Sequence, residues 1–416
     1  MERFEIKGEN KLFGKIEIDS AKNAILPIIA ASLLSTEDVK LCKIPSIVDV
    51  SKMLQIIINM GGKVYRYDDK VVINNSTISS FELPTSLSKE LRSSIFMLGP
   101  LLAKYKRARV PFPGGCDIGS RPIDLHLAGL RDLGVKIEEE HGYINCDGRN
   151  MKCGLIHLDF PSVGATENLM MASIFLNGET VIHNAAKEPE IIDLANFINK
   201  MGGCIYGAGT STIKIAGVSR LNSICYTPIS DRIITGTYLI AAAMTGGKIE
   251  LTNTNYEYVY SLIKKLVNSG CIIDYKNGKI TIESNFRLSA CSFETQPYPG
   301  FPTDLQAQML TLQTISDGTS LIVENLFENR FNHVPELLKM GAKIVTRDRM
   351  AIVKGVNRLY GAEVSAHDLR GGAALILAGL AARGNTIVNN INYIDRGYDH
   401  IEDNLRLLGA DISRKS

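Results

Sequence analysis

The chain of 416 residues has little net charge, and its hydrophobic runs are short. A net charge of +2 gives no large field for attracting nucleic acid or an anionic membrane. The most apolar stretches, Ala24–Leu34 and Ala373–Ala382, are too short to span a bilayer, and the N-terminus has no apolar signal-peptide core. We therefore expect a cytoplasmic protein that has neither nucleic acid nor a membrane as a partner.

Paired cysteine motifs are also missing. The eight cysteines are scattered without a CxxC pair, which predicts reduced thiols rather than a disulfide framework. No group of His and Cys has the spacing of a zinc site, so we expect no metal. We expect no other cofactor. A chain of this length, 45% apolar, exceeds what one hydrophobic core usually serves, and two domains are expected.

One short sequence motif recurs along the whole chain. In each copy a predicted helix ends, a glycine follows, and a predicted hairpin begins. Successive glycines are 73, 68, 68, 71 and 68 residues apart, which indicates six copies of one structural unit. The six glycines are Gly61, Gly134, Gly202, Gly270, Gly341 and Gly409.

The parts of each unit can be predicted from the residue pattern. Val50, Met53, Leu54, Ile57 and Ile58 have helical spacing, and the glycine that follows such a helix is its C-cap. A hairpin comes next, as in residues 272–282, where Asn-Gly favours a tight turn. A second helix then leads into a strand, as in residues 373–388.

The two ends of the chain are predicted to meet in one domain. The sixth hairpin has only its first strand, 410–413, and Phe4–Gly8 is similar to the second strand of an earlier hairpin, Ala351–Gly355. The N-terminal strand is therefore expected to complete the C-terminal lobe. With three repeats in each lobe, one domain is 22–229 and the other joins 1–21 to 230–416.

Polar or glycine-rich residues stand where the second type of helix begins in each unit, at positions 66–72 residues apart. A helix N-terminus carries free N–H groups and partial positive charge, so cations at several such positions predict an anionic ligand. Asp304 is the one carboxylate of the set. The six starts are Lys22, Arg92, Val163, Arg232, Asp304 and Arg370.

Each of these residues has an ordinary structural interpretation when taken alone. Lys22 and Arg92 could be surface cations, and Asp304 could favour the start of a helix. Ser162–Gly164 could be a plain helix start, and Asp395-Arg396 could cap a helix over 398–408 and form a local ion pair. A role in ligand binding is supported because these residues occupy equivalent positions in the repeats.

The segment 113–126 combines glycines with a cysteine. Gly114, Gly115 and Gly119 surround Cys116, and Arg121 and His126 follow. Glycine allows a backbone to bend at little steric cost, and a nearby cation favours the thiolate. We expect this thiol to exchange a proton during a reaction.

Several sequence motifs of this chain resemble those of the enolpyruvyl transferases. Among these enzymes, the motifs are most similar to those that act on UDP-N-acetylglucosamine. The resemblance covers nearly the full length in order. It implies an α/β (α+β) fold: a two-lobed inside-out α/β barrel of six βαβαββ repeats, three per lobe. The matching phrases are Ala21–Ala24, Leu91–Ser94, Gly114–His126, Ser162–Thr166, Glu188–Glu190, Phe301–Asp304, Phe327–Arg330, Asp368–Arg370 and Ile394–Tyr398.

The resemblance implies transfer of the enolpyruvyl group of phosphoenolpyruvate to the 3-hydroxyl of UDP-N-acetylglucosamine, with release of phosphate, in peptidoglycan synthesis. Cys116 would be the acid, and the antibiotic fosfomycin would alkylate it. Asp304 would be the base or would position the hydroxyl. The residues implied around phosphoenolpyruvate are Lys22, Asn23, Arg121, Arg330, Asp368, Arg370 and Arg396, with Lys22 and Arg396 counted as catalytic. Those implied around the UDP-sugar are Asn23, Arg92, Arg121, Pro122, Ile123, Asp124, Leu125, Ser162, Val163, Gly164, Asp304 and Leu326.

Three positions depart from the family pattern. Phe160 and Val48 stand where some relatives have lysine, and Ile234 replaces the glutamate of Asp-Arg-Ile-Glu. The polar contacts that relatives make through these lysines and this glutamate are therefore in doubt. The residues implied in catalysis are unchanged.

Two alternative functions are weighed against this one. The sister enzyme that acts on shikimate 3-phosphate lacks the cysteine segment, and its Gly-Asn-Ala-Gly-Thr phrase is not found here. A non-catalytic repeat protein that binds a nucleotide sugar would need no acid opposite a base. Phosphate release separates these possibilities, because only the enzymes liberate phosphate and the acceptor tells them apart.

Overall fold

A computed structural model describes residues 2–114, 119, 123–284 and 287–416. Helices account for much of this part of the chain. Its α-helices are α1 Lys22–Ala31, α2 Val48–Asn59, α3 Thr85–Glu90, α4 Leu98–Tyr105, α5 Asp124–Asp132, α6 Val163–Ser173, α7 Pro189–Lys200, α8 Arg232–Thr245, α9 Tyr260–Ser269, α10 Gln306–Gln313, α11 Val334–Lys339, α12 Leu369–Ala381 and α13 Ile401–Leu407. Short 3₁₀ helices are Ser32–Leu34, Arg92–Met97, Tyr256–Val259, Thr303–Leu305 and Ile391–Tyr393.

The strands are short, and most have five residues. They are β1 Arg3–Lys7, β2 Phe13–Glu17, β3 Val39–Leu41, β4 Lys63–Tyr67, β5 Lys70–Asn74, β6 Arg107–Pro111, β7 Lys136–Glu140, β8 Tyr143–Asp147, β9 Leu155–His157, β10 Glu179–His183, β11 Ile205–Tyr206, β12 Thr212–Ala216, β13 Ile224–Tyr226, β14 Lys248–Thr252, β15 Ile272–Lys276, β16 Lys279–Glu283, β17 Phe293–Glu294, β18 Thr319–Val323, β19 Lys343–Arg347, β20 Met350–Lys354, β21 Glu363–Ser365, β22 Asn385–Asn389 and β23 Asp411–Lys415.

The described residues fall into two compact units. The N-terminal unit comprises 20–114 and 123–229, and the C-terminal unit comprises 2–19, Gly119, 230–284 and 287–416. Each unit has its own continuous hydrophobic core. The chain ends share one sheet, because β1 pairs with both β22 and β23 in antiparallel register.

Each unit contains three open sheets in the described part of the chain. In the N-terminal unit the strand orders are β13-β3-β5-β4, β6-β8-β7 and β11-β12-β10-β9. In the C-terminal unit they are β21-β22-β1-β23, β15-β16-β14-β2 and β17-β18-β20-β19. The prediction of an α/β fold built from six related units is confirmed.

Helices that are almost fully buried form the centre of each unit. In the C-terminal unit, α8, α10 and α12 pack against one another, and almost every residue of the three is buried. In the N-terminal unit, α4 packs on α6, and α1 contacts the 3₁₀ helix Arg92–Met97 that leads into α4. α8 and α12 are mostly apolar on all sides, as expected of helices in a core. α10 is buried as well, although Gln306, Gln308, Thr311 and Gln313 make half of it polar.

The repeated glycine has the same conformation in all six units. Its φ lies between +85° and +111° at every copy, a backbone region that L-residues with a Cβ rarely adopt. Asn277 and Gly278 also have positive φ and join β15 to β16, as expected for the Asn-Gly turn. The predicted order of helix, glycine and hairpin is therefore confirmed.

Two local predictions were wrong. Ile58 was expected on the buried face of its helix, but it is 42% exposed, whereas Val50, Met53, Leu54 and Ile57 are buried. The last helix was predicted to begin at residue 398, but α13 begins at Ile401, after His400 in a left-handed conformation with φ of 41°.

We predict that Gly355→Ala will destabilise the C-terminal unit by about 3 kcal/mol, because a well-packed site cannot accept even a methyl group without moving the backbone. A Cβ at this position would lie 1.7 Å from the main-chain oxygen of Ser316. The measurement is the midpoint of thermal unfolding. Gly154→Ala is the matched control, since a Cβ there meets nothing within 4 Å. Equal midpoints for the two variants would contradict the prediction.

None of the helices in the described part of the chain is long and apolar enough to cross a membrane. The seven cysteines of that part are all free.

Candidate active site

A cluster of charged side chains lies at the helix starts of the C-terminal unit. Asp304 precedes α10 in the 3₁₀ helix Thr303–Leu305, and Arg370 is in the first turn of α12. Arg370 Nη2 donates to Asp304 Oδ2 at 3.0 Å, and Arg330 Nη2 donates to Asp304 Oδ1. Both oxygens of this carboxylate therefore face a guanidinium group.

Asp368 holds the start of α12. Its Oδ1 accepts hydrogen bonds from the backbone N–H groups of Arg370 and Gly371, at 2.9 and 3.0 Å. It also lies 3.9 Å from Nη1 of Arg330. Asp368 thus acts as an N-cap and as a second carboxylate beside the same arginine.

The two arginines are themselves buried, and each side chain is only 4% exposed. Burial opposes the charge of Arg370, but Asp304, Tyr398 and Asp231 outweigh it and raise the pKa of that guanidinium. The Tyr398 hydroxyl lies 2.9 Å from Thr237 Oγ1 and accepts from Gln308 Nε2 at 3.2 Å. Thr237 on α8 and Gln308 on α10 thus hold Tyr398 in place beside Arg370.

Arg330 is held at its other nitrogen as well. Its Nε donates to Thr303 Oγ1 at 3.2 Å, and Thr303 in turn donates to Glu324. The buried carboxylate of Glu324 also accepts the backbone N–H of Leu326 at 2.9 Å. The segment at Leu326, which the family resemblance implies as a contact of the UDP-sugar, is therefore bonded to one side of this cluster.

Asp395 and Arg396 have different surroundings. Asp395 pairs with Arg414 at 2.7 Å, and it caps no helix, because α13 starts six residues later. The interpretation of Asp395 as a helix cap is therefore wrong. Asp395 does form an ion pair, but its partner is Arg414 on β23. Arg396 is half-buried.

The N-terminal unit holds a second set of charges. Lys22 is the first residue of α1, and its Nζ lies 2.7 Å from Oδ2 of Asp49 in the first turn of α2. The Asp49 side chain is 4% exposed and that of Lys22 is 12% exposed. The lysine is therefore directed by a buried carboxylate, and the neighbouring Asn23 is half-buried.

A histidine stands beside the start of α6. Asn168 Nδ2 donates to His126 Nδ1 at 2.8 Å, and the same amide donates to Ile95 O and accepts from Gly99 N. Because Nδ1 is an acceptor, the proton of the neutral ring is on Nε2. A Cβ at Gly164 would lie 3.1 Å from that Nε2, so the ring reaches the first turn of α6.

The charge state of His126 is set mainly by its burial. Burial, with Arg92 as a second cause, lowers the pKa of His126 to about 3. The imidazole is neutral near pH 7, so His126 cannot be the cation that favours the Cys116 thiolate. It is instead a fixed N–H donor near Arg92 and the α6 start, where Ser162 Oγ accepts from Ala165 N.

The remaining predicted residues are placed as follows. Val163 is the first residue of α6, and Asp124 and Leu125 are in the first turn of α5, with Ile123 just before it. Cys116, Arg121 and Pro122 lie outside the described residues. Among the described residues, no three His, Cys, Asp or Glu side chains are placed to hold a metal ion.

Comparison with known proteins identifies the family. The family model for EPSP synthase (3-phosphoshikimate 1-carboxyvinyltransferase) matches residues 6–405. The chain is 48% identical to UDP-N-acetylglucosamine 1-carboxyvinyltransferase 2 of Caldanaerobacter subterraneus subsp. tengcongensis, with 100% of both chains covered. It is 47% identical to UDP-N-acetylglucosamine 1-carboxyvinyltransferase of Actinobacillus succinogenes, again over 100% of both.

The chain belongs to the UDP-N-acetylglucosamine 1-carboxyvinyltransferases, a branch of the enolpyruvyl transferases. Solved structures agree on the fold of this family. The enolpyruvyl transferase NikO from Streptomyces tendae gives a TM-score of 0.89 at 23% identity, covering 100% of this chain and 99% of that one. At these identities the structural likeness concerns the fold.

Two residues of the N-terminal unit were missed by sequence reasoning. Asp49 carried no signal, since an acidic residue in the first turn of an amphipathic helix is common. Asn168 is buried within α6, and only tertiary contacts show that it orients His126.

Proposed function

We propose that this chain transfers the enolpyruvyl group of phosphoenolpyruvate to the 3-hydroxyl of UDP-N-acetylglucosamine and releases phosphate. This reaction is the first committed step of bacterial peptidoglycan synthesis. The observation that carries the proposal is the full-length identity of 44–50% to relatives named for this activity. The proposal is also supported by the charged residues at the helix N-termini of both units, Lys22 and Arg92 in one and Asp304 and Arg370 in the other.

The cations of the site suit phosphoenolpyruvate, which carries a phosphate and a carboxylate. Arg330 and Arg370 are fixed by Asp304 and Asp368, so they need little rearrangement when a second anion arrives. Preorganised cations of this kind commonly supply a large part of catalysis. We assign the phosphoenolpyruvate contacts to Lys22, Asn23, Arg121, Arg330, Asp368, Arg370 and Arg396.

The N-terminal unit suits the diphosphate of the UDP-sugar. The first turn of α6 offers free backbone N–H groups, Arg92 adds a positive charge, and neutral His126 adds an N–H donor. Phe160 is 46% exposed and brings no charge to this place. We assign the UDP-sugar contacts to Asn23, Arg92, Arg121–Leu125, Ser162–Gly164, Asp304 and Leu326.

The reaction is an addition followed by an elimination. In the addition, the sugar hydroxyl bonds to C2 of phosphoenolpyruvate, its proton passes to Asp304 or is directed by it, and Cys116 protonates the methylene carbon. In the elimination, a proton leaves that carbon and the C–O bond to phosphate breaks. An acid and a base in these positions typically contribute about 10²–10⁴-fold each.

The test is phosphate release from phosphoenolpyruvate in three parallel reactions: with UDP-N-acetylglucosamine, with shikimate 3-phosphate, and with no acceptor. Release with the nucleotide sugar alone is expected. Release with shikimate 3-phosphate would instead assign the sister activity. No release with either acceptor, from a protein that binds the nucleotide sugar, would identify a binding protein and overturn the proposal.

Asp49→Asn is expected to raise the KM for phosphoenolpyruvate about 10-fold, because Lys22 loses a charge-assisted partner that directs its Nζ. The effect should fall on KM for phosphoenolpyruvate more than on KM for the nucleotide sugar. Steady-state kinetics with each substrate varied in turn measure this difference. Asp132→Asn, an exposed change in the same unit, is the control. An equal rise in both KM values would show a general structural defect instead.

A further inference from the structure

The C-terminal unit contains a cavity that none of the assigned substrate contacts uses. Its volume is about 390 Å³. Four tyrosines dominate its lining, together with one carboxylate, one serine and one proline: Tyr256, Tyr258, Tyr260, Tyr298, Glu257, Ser261 and Pro299.

Local structure fixes the rings of this tyrosine cavity. Asn255 Oδ1 accepts the backbone N–H of Glu257 at 2.9 Å and starts the 3₁₀ helix Tyr256–Val259, which runs directly into α9. The ring of Tyr256 lies 5.7 Å from that of Tyr260 and 5.4 Å from that of Tyr275. Tyr256 and Tyr260, four residues apart, therefore form one aromatic wall.

Tyr298 contributes to the lining from a separate segment of the chain. Its hydroxyl donates to the main-chain oxygen of Glu257 at 3.5 Å, which ties it to the 3₁₀ helix. The guanidinium of Arg232 lies 5.7 Å from the centre of its ring. One ring of the lining therefore already has a cation against it.

The chemistry of this lining favours a positively charged ligand. The face of a tyrosine ring carries partial negative charge and attracts cations within about 6 Å. Glu257 is exposed, and its side chain forms no ion pair among the described residues. Tyr260 is 51% exposed, so much of its ring is available to a ligand. Several aromatic faces beside one carboxylate bind alkylated ammonium groups in preference to neutral groups of the same shape.

We propose that the tyrosine cavity, lined by residues 256–258, 260–261 and 298–299, is a binding site for an organic cation with an alkylated ammonium group. The site is separate from the proposed transferase chemistry, because none of its residues belongs to the assigned substrate contacts.

The test compares choline with 3,3-dimethylbutan-1-ol, the neutral compound of the same shape, each titrated into the full chain. Proton NMR follows the ligand methyl signal, which aromatic rings shift upfield on binding. We expect choline to bind with a dissociation constant about fivefold lower than that of the alcohol. Equal affinity of the two compounds, or the absence of a saturable shift with choline, would overturn the proposal.

Variants locate the binding. Tyr256→Leu, Tyr260→Leu and Glu257→Gln are each expected to weaken choline binding about threefold or more, with phosphate release unchanged. Tyr67→Leu is the matched control, since Tyr67 is 62% exposed on β4 in the other unit. Thermal unfolding verifies that each variant is folded. If Tyr67→Leu weakened binding as much as the cavity variants, the assignment to this cavity would be wrong.

Discussion

Asp304→Asn is expected to lower kcat for phosphate release by about 10²–10⁴-fold, with a much smaller change in the KM for UDP-N-acetylglucosamine. An amide cannot take the proton of the sugar hydroxyl. It also offers only one oxygen to two guanidinium groups, where the carboxylate offers one oxygen to Arg330 and the other to Arg370. Steady-state kinetics with both substrates measure the effect.

The same change is expected to lower stability, so folding is measured beside activity. Removing one partner of a buried ion pair leaves an uncompensated charge, and Arg330 and Arg370 are nearly inaccessible to water. Asp317→Asn is the matched control, because Asp317 pairs with Arg287 at an exposed position. A folded Asp304→Asn protein with kcat close to that of the control would refute the assigned role.

Replacing Cys116 is expected to separate acid function from thiol chemistry. Cys116→Ala should lose about 10²–10⁴-fold in kcat because no proton donor remains, whereas Cys116→Asp should retain a substantial fraction of the activity. Fosfomycin should inactivate the native chain and leave Cys116→Asp unaffected. Inhibition of Cys116→Asp by fosfomycin would count against the assignment.

Mass spectrometry gives an internal control for that experiment. The fosfomycin adduct is expected on Cys116, most rapidly with UDP-N-acetylglucosamine bound. Burial raises the pKa of Cys146 to about 12 and that of Cys271 to about 11, so these thiols have almost no thiolate near pH 7. Cys225 is exposed and reports non-specific alkylation. Loss of activity with no adduct on Cys116 would show that the thiol has a different role.

Much of the fold could be predicted because its signals are local and repeated. The glycine that follows the helix has a positive φ in each of the six copies, and copies at nearly equal spacing reinforce one another. The errors at Ile58 and at the start of α13 concern single turns. At such places a neighbouring contact or one left-handed residue decides the outcome.

The candidate site could be predicted only in part. Repeat spacing marked Lys22, Arg92, Asp304 and Arg370 as helix-start residues, and the structure places each of them in the first turn of a helix. Spacing carries no information on which charges pair. The Lys22–Asp49 and Asp304–Arg370 pairs join residues 27 and 66 positions apart, and only packing of the helices brings them together.

The sequence by itself determined the six-unit architecture, the helix starts that carry charge and the family, because each depends on residue type at fixed spacing. The tertiary structure alone decided the protonation of His126 and the double contact of Asp304. It also decided that four tyrosines line one cavity. Burial sets a pKa and contact distance sets an ion pair, and both depend on which distant segments pack against a residue.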